Sequence, residues 1–250
     1  MKLYGLIGYP LSHSFSKTFF NDFFSSKKIN AKYVNYEIED INALRLILEE
    51  NKDLVGLNVT IPHKVSIIPF LDKIDDSAQN IGAVNVVKIL KNEGKVTLHG
   101  YNSDIFGFVE SLKPFLMPHH NKALILGTGG ASMAVAKGLD SLNIRYSFVS
   151  RFPKEKTITY NDLNKDIISK TNIIVNCTPL GTYPNMDSCP PIPYKHLNKQ
   201  HLLYDLVYNP AKTKFLRHGE KQGCQTTNGA NMLKLQALKA YSIWDTAHYL

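Results

Sequence analysis

Apolar positions in this chain fall into short runs that switch between strand-like and helix-like spacing, with glycine, proline and polar clusters between them. Residues 2–7 read as a strand, followed by a loop carrying Ser12, Ser14 and Ser16. Residues 15–27 form an aromatic-rich helical stretch, and residues 31–38 alternate as a strand. Asp40 is placed to cap a helix to about Glu50, with Ile41, Leu44 and Leu48 on one face. Residues 54–60 form a further strand. Residues 84–90 and 95–100 flank Asn92-Glu93-Gly94, which reads as a hairpin turn.

A second half begins near Asn102. Strand-like runs at 122–126, 145–149, 172–177, 202–207 and 224–227 alternate with helix-like segments at 131–142, 161–170 and 211–222. That alternation predicts an α/β fold with an open parallel sheet and helices on both faces. A last helix, at about 231–246, follows Gly229. It is expected to return to the first half and make that domain discontinuous.

Composition narrows the class. With 250 residues, 44% hydrophobic and 20% charged, the chain suits a soluble globular protein. No run approaches the ~18 apolar residues of a membrane span. The first eight residues read as a strand and not as a leader peptide. Three cysteines without a CxxC pair suit a cytoplasmic protein with free thiols. The histidines show no metal-ligand spacing, so no metal is expected. The net charge of +8 comes from dispersed residues. It suits small anionic ligands, and no nucleic-acid motif accompanies it.

Two stretches carry candidate chemistry. In Asn58-Val59-Thr60-Ile61-Pro62-His63-Lys64 an apolar run meets a proline that cannot donate to a sheet, so the strand should stop there and expose polar groups. Lys64 is a candidate proton-handling group, and Asp104 in Asn102-Ser103-Asp104 is another. The second stretch is Leu126-Gly127-Thr128-Gly129-Gly130-Ala131-Ser132, between a strand and a helix. Gly127 allows a tight turn, Gly129 allows a pyrophosphate to approach the backbone, and the helix N-terminus attracts its charge. Ser132 stands where the dinucleotide pattern expects Gly or Ala. The next strand ends in Ser150-Arg151, with Lys154 and Lys156 following, where an NAD site usually carries an acidic residue. A guanidinium pairs with a 2′-phosphate, so NADP is favoured over NAD.

Over nearly its whole length the chain resembles the shikimate dehydrogenase family. Gly8-Tyr9-Pro10-Leu11-Ser12-His13-Ser14-Phe15-Ser16 is similar to that family's substrate-carboxylate loop, which implies Ser14 and Ser16 on the carboxylate. The 58–64 segment resembles the catalytic segment, implying Lys64 in proton handling and Thr60 on the substrate. Gly82-Ala83-Val84-Asn85 and Asn102-Ser103-Asp104 imply that Asn85 and Asp104 bind substrate hydroxyls, with Asp104 paired to Lys64. Gly127, Gly129, Gly130, Ala131, Ser132, Ser150, Arg151 and Lys154 fall in the NADP segments. Thr178 lies in a loop resembling the cofactor lining, and Tyr208 in the segment whose tyrosine reaches the active site. The stretch from Gly229 resembles the return segment, implying Gly229 at the cofactor and Gln236 on the substrate. Lys17, His63, Ile105, Ser150 and Phe152 depart from the family's usual residues, His63 standing in place of the usual aromatic before the lysine.

The resemblance implies an N-terminal α/β substrate domain, residues 1–101 and 233–250, plus a Rossmann-like doubly wound dinucleotide-binding domain, residues 102–232. It also implies NADPH-dependent reduction of 3-dehydroshikimate to shikimate by a cytoplasmic monomer or homodimer, without nucleic-acid or membrane partners. Which of Lys64 and Asp104 gives up the proton stays open. A quinate-active paralogue and a non-catalytic NADP-binding sensor are the alternatives.

Overall fold

The alternation of strand and helix resolves into two separate sheets of six strands each. The computed structural model describes residues 1–11, 14–153 and 155–245. The chain divides into two units, Met1–Ser103 together with the chain from Gln236 onward, and Asp104–Leu235.

The first unit contains β1 (Lys2–Gly8), α1 (Phe15–Ser26), β2 (Ala31–Glu37), α2 (Leu44–Glu50), β3 (Leu54–Val59), α3 (His63–Ser66), β4 (Lys73–Ile74), α4 (Asp76–Gln79), β5 (Val86–Asn92) and β6 (Lys95–Tyr101). The strand order is β2-β1-β3-β5-β6-β4. β1 runs parallel to β2 and β3, whereas β5 is antiparallel to β3 and β6. The two-residue turn Glu93-Gly94, with φ of +48° and +80°, returns the chain directly on itself and makes this sheet mixed. Asp40 caps a short 3₁₀ turn, Ile41–Ala43, by accepting from the Asn42 N–H at 2.9 Å. The α-helix proper begins only at Leu44, later than the apolar spacing predicts.

The second unit contains α5 (Asp104–Leu112), β7 (Lys122–Leu126), α6 (Gly130–Ser141), β8 (Arg145–Ser150), β9 (Thr157–Thr159), α7 (Lys165–Ser169), β10 (Ile173–Asn176), β11 (Leu202–Asp205), α8 (Lys214–Lys221) and β12 (Gln225–Asn228). α9 (Ala230–Asp245) begins here, and its residues from Gln236 belong to the first unit. All pairings are parallel, in the order β9-β8-β7-β10-β11-β12. Counted from β7 this is the doubly wound order 3-2-1-4-5-6, with its reversal between β7 and β10.

The helix expected at 161–170 is divided. Thr159 and Asp162 form a capping box around the turn Tyr160–Asp162, and Asn164 caps the separate α7 by accepting from the Ile167 N–H at 3.0 Å. Each Asx or Thr side chain offers the backbone a new start, which shortens the elements around it. Likewise Thr213 caps α8, so the helix expected from 211 starts at Lys214. α5, at 104–112, is not among the elements predicted above. It lies close against α6, where a Cβ on Gly138 would come within 2.6 Å of the Phe108 ring.

Each unit has its own core. In the first, Ile7, Leu57, Val59, Val84 and Val87 cluster on one face of the sheet. The other face holds Tyr4, Phe20, Phe24, Tyr33 and Trp244. Trp244 of α9 occupies the space a side chain at Gly56 would fill and donates from Nε1 to the Val87 carbonyl at 3.0 Å. Among the described residues no helix is long and apolar enough to cross a membrane.

Candidate active site

In the first unit, β3 stops at Val59, one residue after Asn58 and three before Pro62. Thr60 N–H still bonds the Ile7 carbonyl at 2.9 Å, and the His63 N–H then closes a turn onto the Thr60 carbonyl at 2.8 Å. Gly8 makes room for this arrangement, since a Cβ there would sit 2.4 Å from Thr60 Cγ2. Lys64 follows in α3, half-buried, with its carbonyl held by the Val84 N–H at 2.8 Å. The preceding His63 is buried, with Nε2 2.8 Å from the Ile38 carbonyl oxygen. A carbonyl only accepts, so Nε2 carries the proton. The departure from the family aromatic thus keeps a buried ring and adds a hydrogen bond to the chain just after β2.

Ser14 occupies the N-cap position of α1 but makes no side-chain cap. Its Oγ is buried and has no hydrogen-bond partner among the described residues. An uncapped helix N-terminus beside an unpartnered hydroxyl favours an anion. Ser16, in the first turn, is half-buried. Asn85 is buried and fixed by Ser103, whose N–H donates to Oδ1 at 2.8 Å and whose Oγ accepts from Nδ2 at 3.2 Å. Gln236 is half-buried on α9. Ser12 and His13 of the same loop lie outside the described residues.

In the second unit a cavity of about 580 Å³ opens at the switch point between β7 and β10. Gly127, with φ of +105°, turns the chain out of β7, and a Cβ there would press on Thr178 Cγ2 at 3.1 Å. Nothing lies within 4 Å of where a Cβ on Gly129 or Gly130 would stand, so the turn leaves open space for a group lying against its backbone. Gly129 is the N-cap of α6 and offers no side-chain cap, leaving amides at a positive helix end. Ser132 is buried and spends its hydroxyl on the Gly129 carbonyl at 2.5 Å, which is how a serine fits the position expected to hold Gly or Ala.

Ser150 and Arg151 line the same cavity at the end of β8. Arg151 is exposed, with its guanidinium carbon 6.0 Å from the centre of the Phe152 ring. Tyr160 is a further wall residue. Burial pushes its phenol up to about 12, with the Arg151 charge opposing. Cys177 also lines the cavity, and burial pushes its thiol far up, so it stays protonated. Thr178 is held by Asn176, whose Oδ1 accepts from Thr178 N–H at 3.0 Å and Oγ1 at 2.6 Å. Asn176 in turn donates to Asp205 at 2.9 Å.

Of the expected cofactor residues, Gly127, Gly129, Ser150, Arg151 and Thr178 line the cavity. Gly130, Ala131 and Ser132 form the first turn of α6. Lys154 lies outside the described residues. Gly229 is required by packing, because a Cβ there would meet the Leu206 carbonyl oxygen at 2.2 Å. Ser14, Ser16, Thr60, Lys64, Asn85 and Gln236 belong to the first unit, and Asp104, buried at the start of α5, and Tyr208 to the second. Tyr160 and Asp205 escaped sequence reasoning. Tyr160 sits in no motif, and Asp205 lies inside the run 202–207 read as a strand, in the segment that leads to Tyr208.

Residues 6–87 match the family model described as the shikimate dehydrogenase substrate binding domain. A shikimate dehydrogenase (NADP(+)) from Methanococcus aeolicus is 37% identical, over 97% of this chain and 91% of the relative. The solved shikimate 5-dehydrogenase from Thermus thermophilus, in complex with NADP(H) and shikimate, superposes with a TM-score of 0.84 at 30% identity, covering 98% of this chain and 94% of that one. That from Listeria monocytogenes, in complex with shikimate and NAD, does so with a TM-score of 0.85 at 29% identity, covering 98% and 91%. The chain therefore belongs to the shikimate dehydrogenase family.

Proposed function

We propose that this protein catalyses the reversible, NADPH-dependent reduction of 3-dehydroshikimate to shikimate. The observation that carries this reading is the pairing of two ligand features in one chain. The first unit presents a serine hydroxyl at a helix N-terminus, unpartnered among the described residues, and the segment after β3 that carries Thr60 and Lys64. The second holds a dinucleotide-sized cavity with an arginine at the ribose end.

The open face of Gly129 and Gly130, the uncapped N-terminus of α6 and Arg151 fit NADP. The amides take the pyrophosphate, and the guanidinium takes the 2′-phosphate. Bound NADPH supplies the hydride for the ketone carbon. Ser14 and Ser16 bind the substrate carboxylate, and Thr60, Asn85, Tyr208 and Gln236 orient the ring. Lys64 handles the proton that the new hydroxyl needs, and the Asp104 carboxylate accepts from substrate hydroxyls. Hydride on carbon and a proton on oxygen give the alcohol and NADP⁺, and oxidation runs the same steps backwards. We read the enzyme as cytoplasmic and as a monomer or homodimer.

Lys64→Ala tests the assignment. An interaction made in the transition state predicts that kcat with shikimate falls by about a hundredfold or more while KM changes little. A near-wild-type kcat in that variant contradicts it.

A further inference from the structure

β8 ends at Ser150 and its parallel neighbour β9 begins at Thr157, so residues 151–156 alone join them. A connection between parallel strands ordinarily takes a dozen residues or more and carries a helix. This one is too short for a helical crossover, and its first residues fall at the cavity of the second unit. Arg151 and Phe152 both line that cavity, and Phe152 is 69% exposed. Its ring is a large apolar surface turned to solvent beside a space that fits a dinucleotide.

The chain around Phe152 sets its place. Its N–H donates to Ser150 Oγ at 3.4 Å, and Ser150 is itself buried at the strand end. Pro153 follows and disfavours a helical conformation at Phe152. The Arg151 guanidinium carbon stands 6.0 Å from the ring centre, within cation–π reach. In a doubly wound sheet the end of the second strand takes the adenosine ribose, and β8 is that strand. The base is bonded directly to this ribose, so it lies beside the residues that follow Ser150. A phenyl ring offers a phosphate no hydrogen bond. What it offers is a flat apolar face, which suits a base.

We propose that Phe152 is a cofactor-binding residue whose ring stacks on the adenine of the dinucleotide. The proposal rests on the functional reading above for the identity of the cofactor and adds a residue to its site. Stacking takes the base and the exposed ring out of water together and asks for no polar readout. Arg151, held beside the same ring, keeps its hydrogen-bond donors for the 2′-phosphate. The two neighbours thus divide the work. Arg151 separates NADP from NAD, whereas Phe152 serves both, because the adenine is common to them.

Titration calorimetry with NADP⁺ and with NAD⁺ tests this on wild type, Phe152→Ala and Phe152→Tyr. The residue is exposed, so truncating it leaves the fold intact. In Phe152→Ala, Kd is expected to rise about tenfold for both cofactors and by the same factor, as the loss of one base–aromatic stack predicts. Phe152→Tyr keeps the ring and is expected to bind both as wild type does, and KM for shikimate is expected to stay near wild type in both variants. An unchanged Kd in Phe152→Ala, or a Phe152→Tyr as weak as Phe152→Ala, overturns the proposal. So does a rise confined to NADP⁺, which would make the ring a support for Arg151 and not a seat for the base. A wild type that binds NADP⁺ but is inert toward shikimate overturns the functional reading, and the same titrations still decide for or against Phe152. A wild type that binds neither cofactor overturns both.

Discussion

Asn176 and Asp205 end neighbouring parallel strands in register, and the Asn176 amide donates to Asp205 Oδ1 at 2.9 Å. The same oxygen accepts from the Val207 N–H at 3.0 Å, and Oδ2 accepts from the Thr213 hydroxyl at 2.5 Å. One buried carboxylate thus holds the cofactor loop, through Asn176 and Thr178, and the start of the segment that leads to Tyr208.

Burial raises the Asp205 carboxyl from 3.8 to about 6, against the three hydrogen bonds that oppose the shift. Native protein then binds more protons than unfolded chain between about pH 4 and pH 6. The Asp205 contribution to stability is greatest at the acid end of that window and falls as pH rises through it, by up to about 3 kcal/mol. Asp205→Asn is expected to remove this slope. Denaturant unfolding at about pH 4.5 and pH 7 checks it, with the stability gap between wild type and variant larger at the lower pH. A gap that does not move with pH refutes the assignment.

Much of the fold was legible because its strands are short apolar runs with glycine or polar stops. The β7–Gly127–α6 turn is the plainest case, since Gly127 needs both its φ of +105° and its clearance from Thr178. What stayed hidden has physical reasons. α5 starts at Asp104, directly after Asn102-Ser103, a stretch read above for its chemistry and not for an element. Asp205 gains its meaning from a partner 29 residues away, on a strand that only folding brings alongside. His63 reads in sequence as a departure without a cause, and the cause is the Ile38 carbonyl at 2.8 Å.

His63→Phe restores the family's usual aromatic and keeps a buried ring, but leaves the Ile38 carbonyl without its imidazole donor. A lost buried hydrogen bond predicts destabilisation of about 1–3 kcal/mol. Thermal unfolding followed by circular dichroism should show a melting temperature lowered by several degrees. An unchanged or higher melting temperature would mean that the bond contributes nothing net.

Arg151 carries the proposed discrimination between the two nicotinamide cofactors. Arg151→Ala is expected to raise KM for NADP⁺ about tenfold or more and to leave KM for NAD⁺ nearly unchanged, since a charge-assisted pair to the 2′-phosphate is lost. Steady-state kinetics with each cofactor give the ratio. An equal rise for both would place Arg151 outside 2′-phosphate recognition.

Hydride transfer between shikimate and NADP can be watched without any variant. Purified protein is mixed with shikimate and NADP⁺, and absorbance is followed. NADPH absorbance is expected to rise only with both compounds present and to be largely lost in Lys64→Ala. No NADPH at high enzyme concentration, with quinate inert as well, would contradict it.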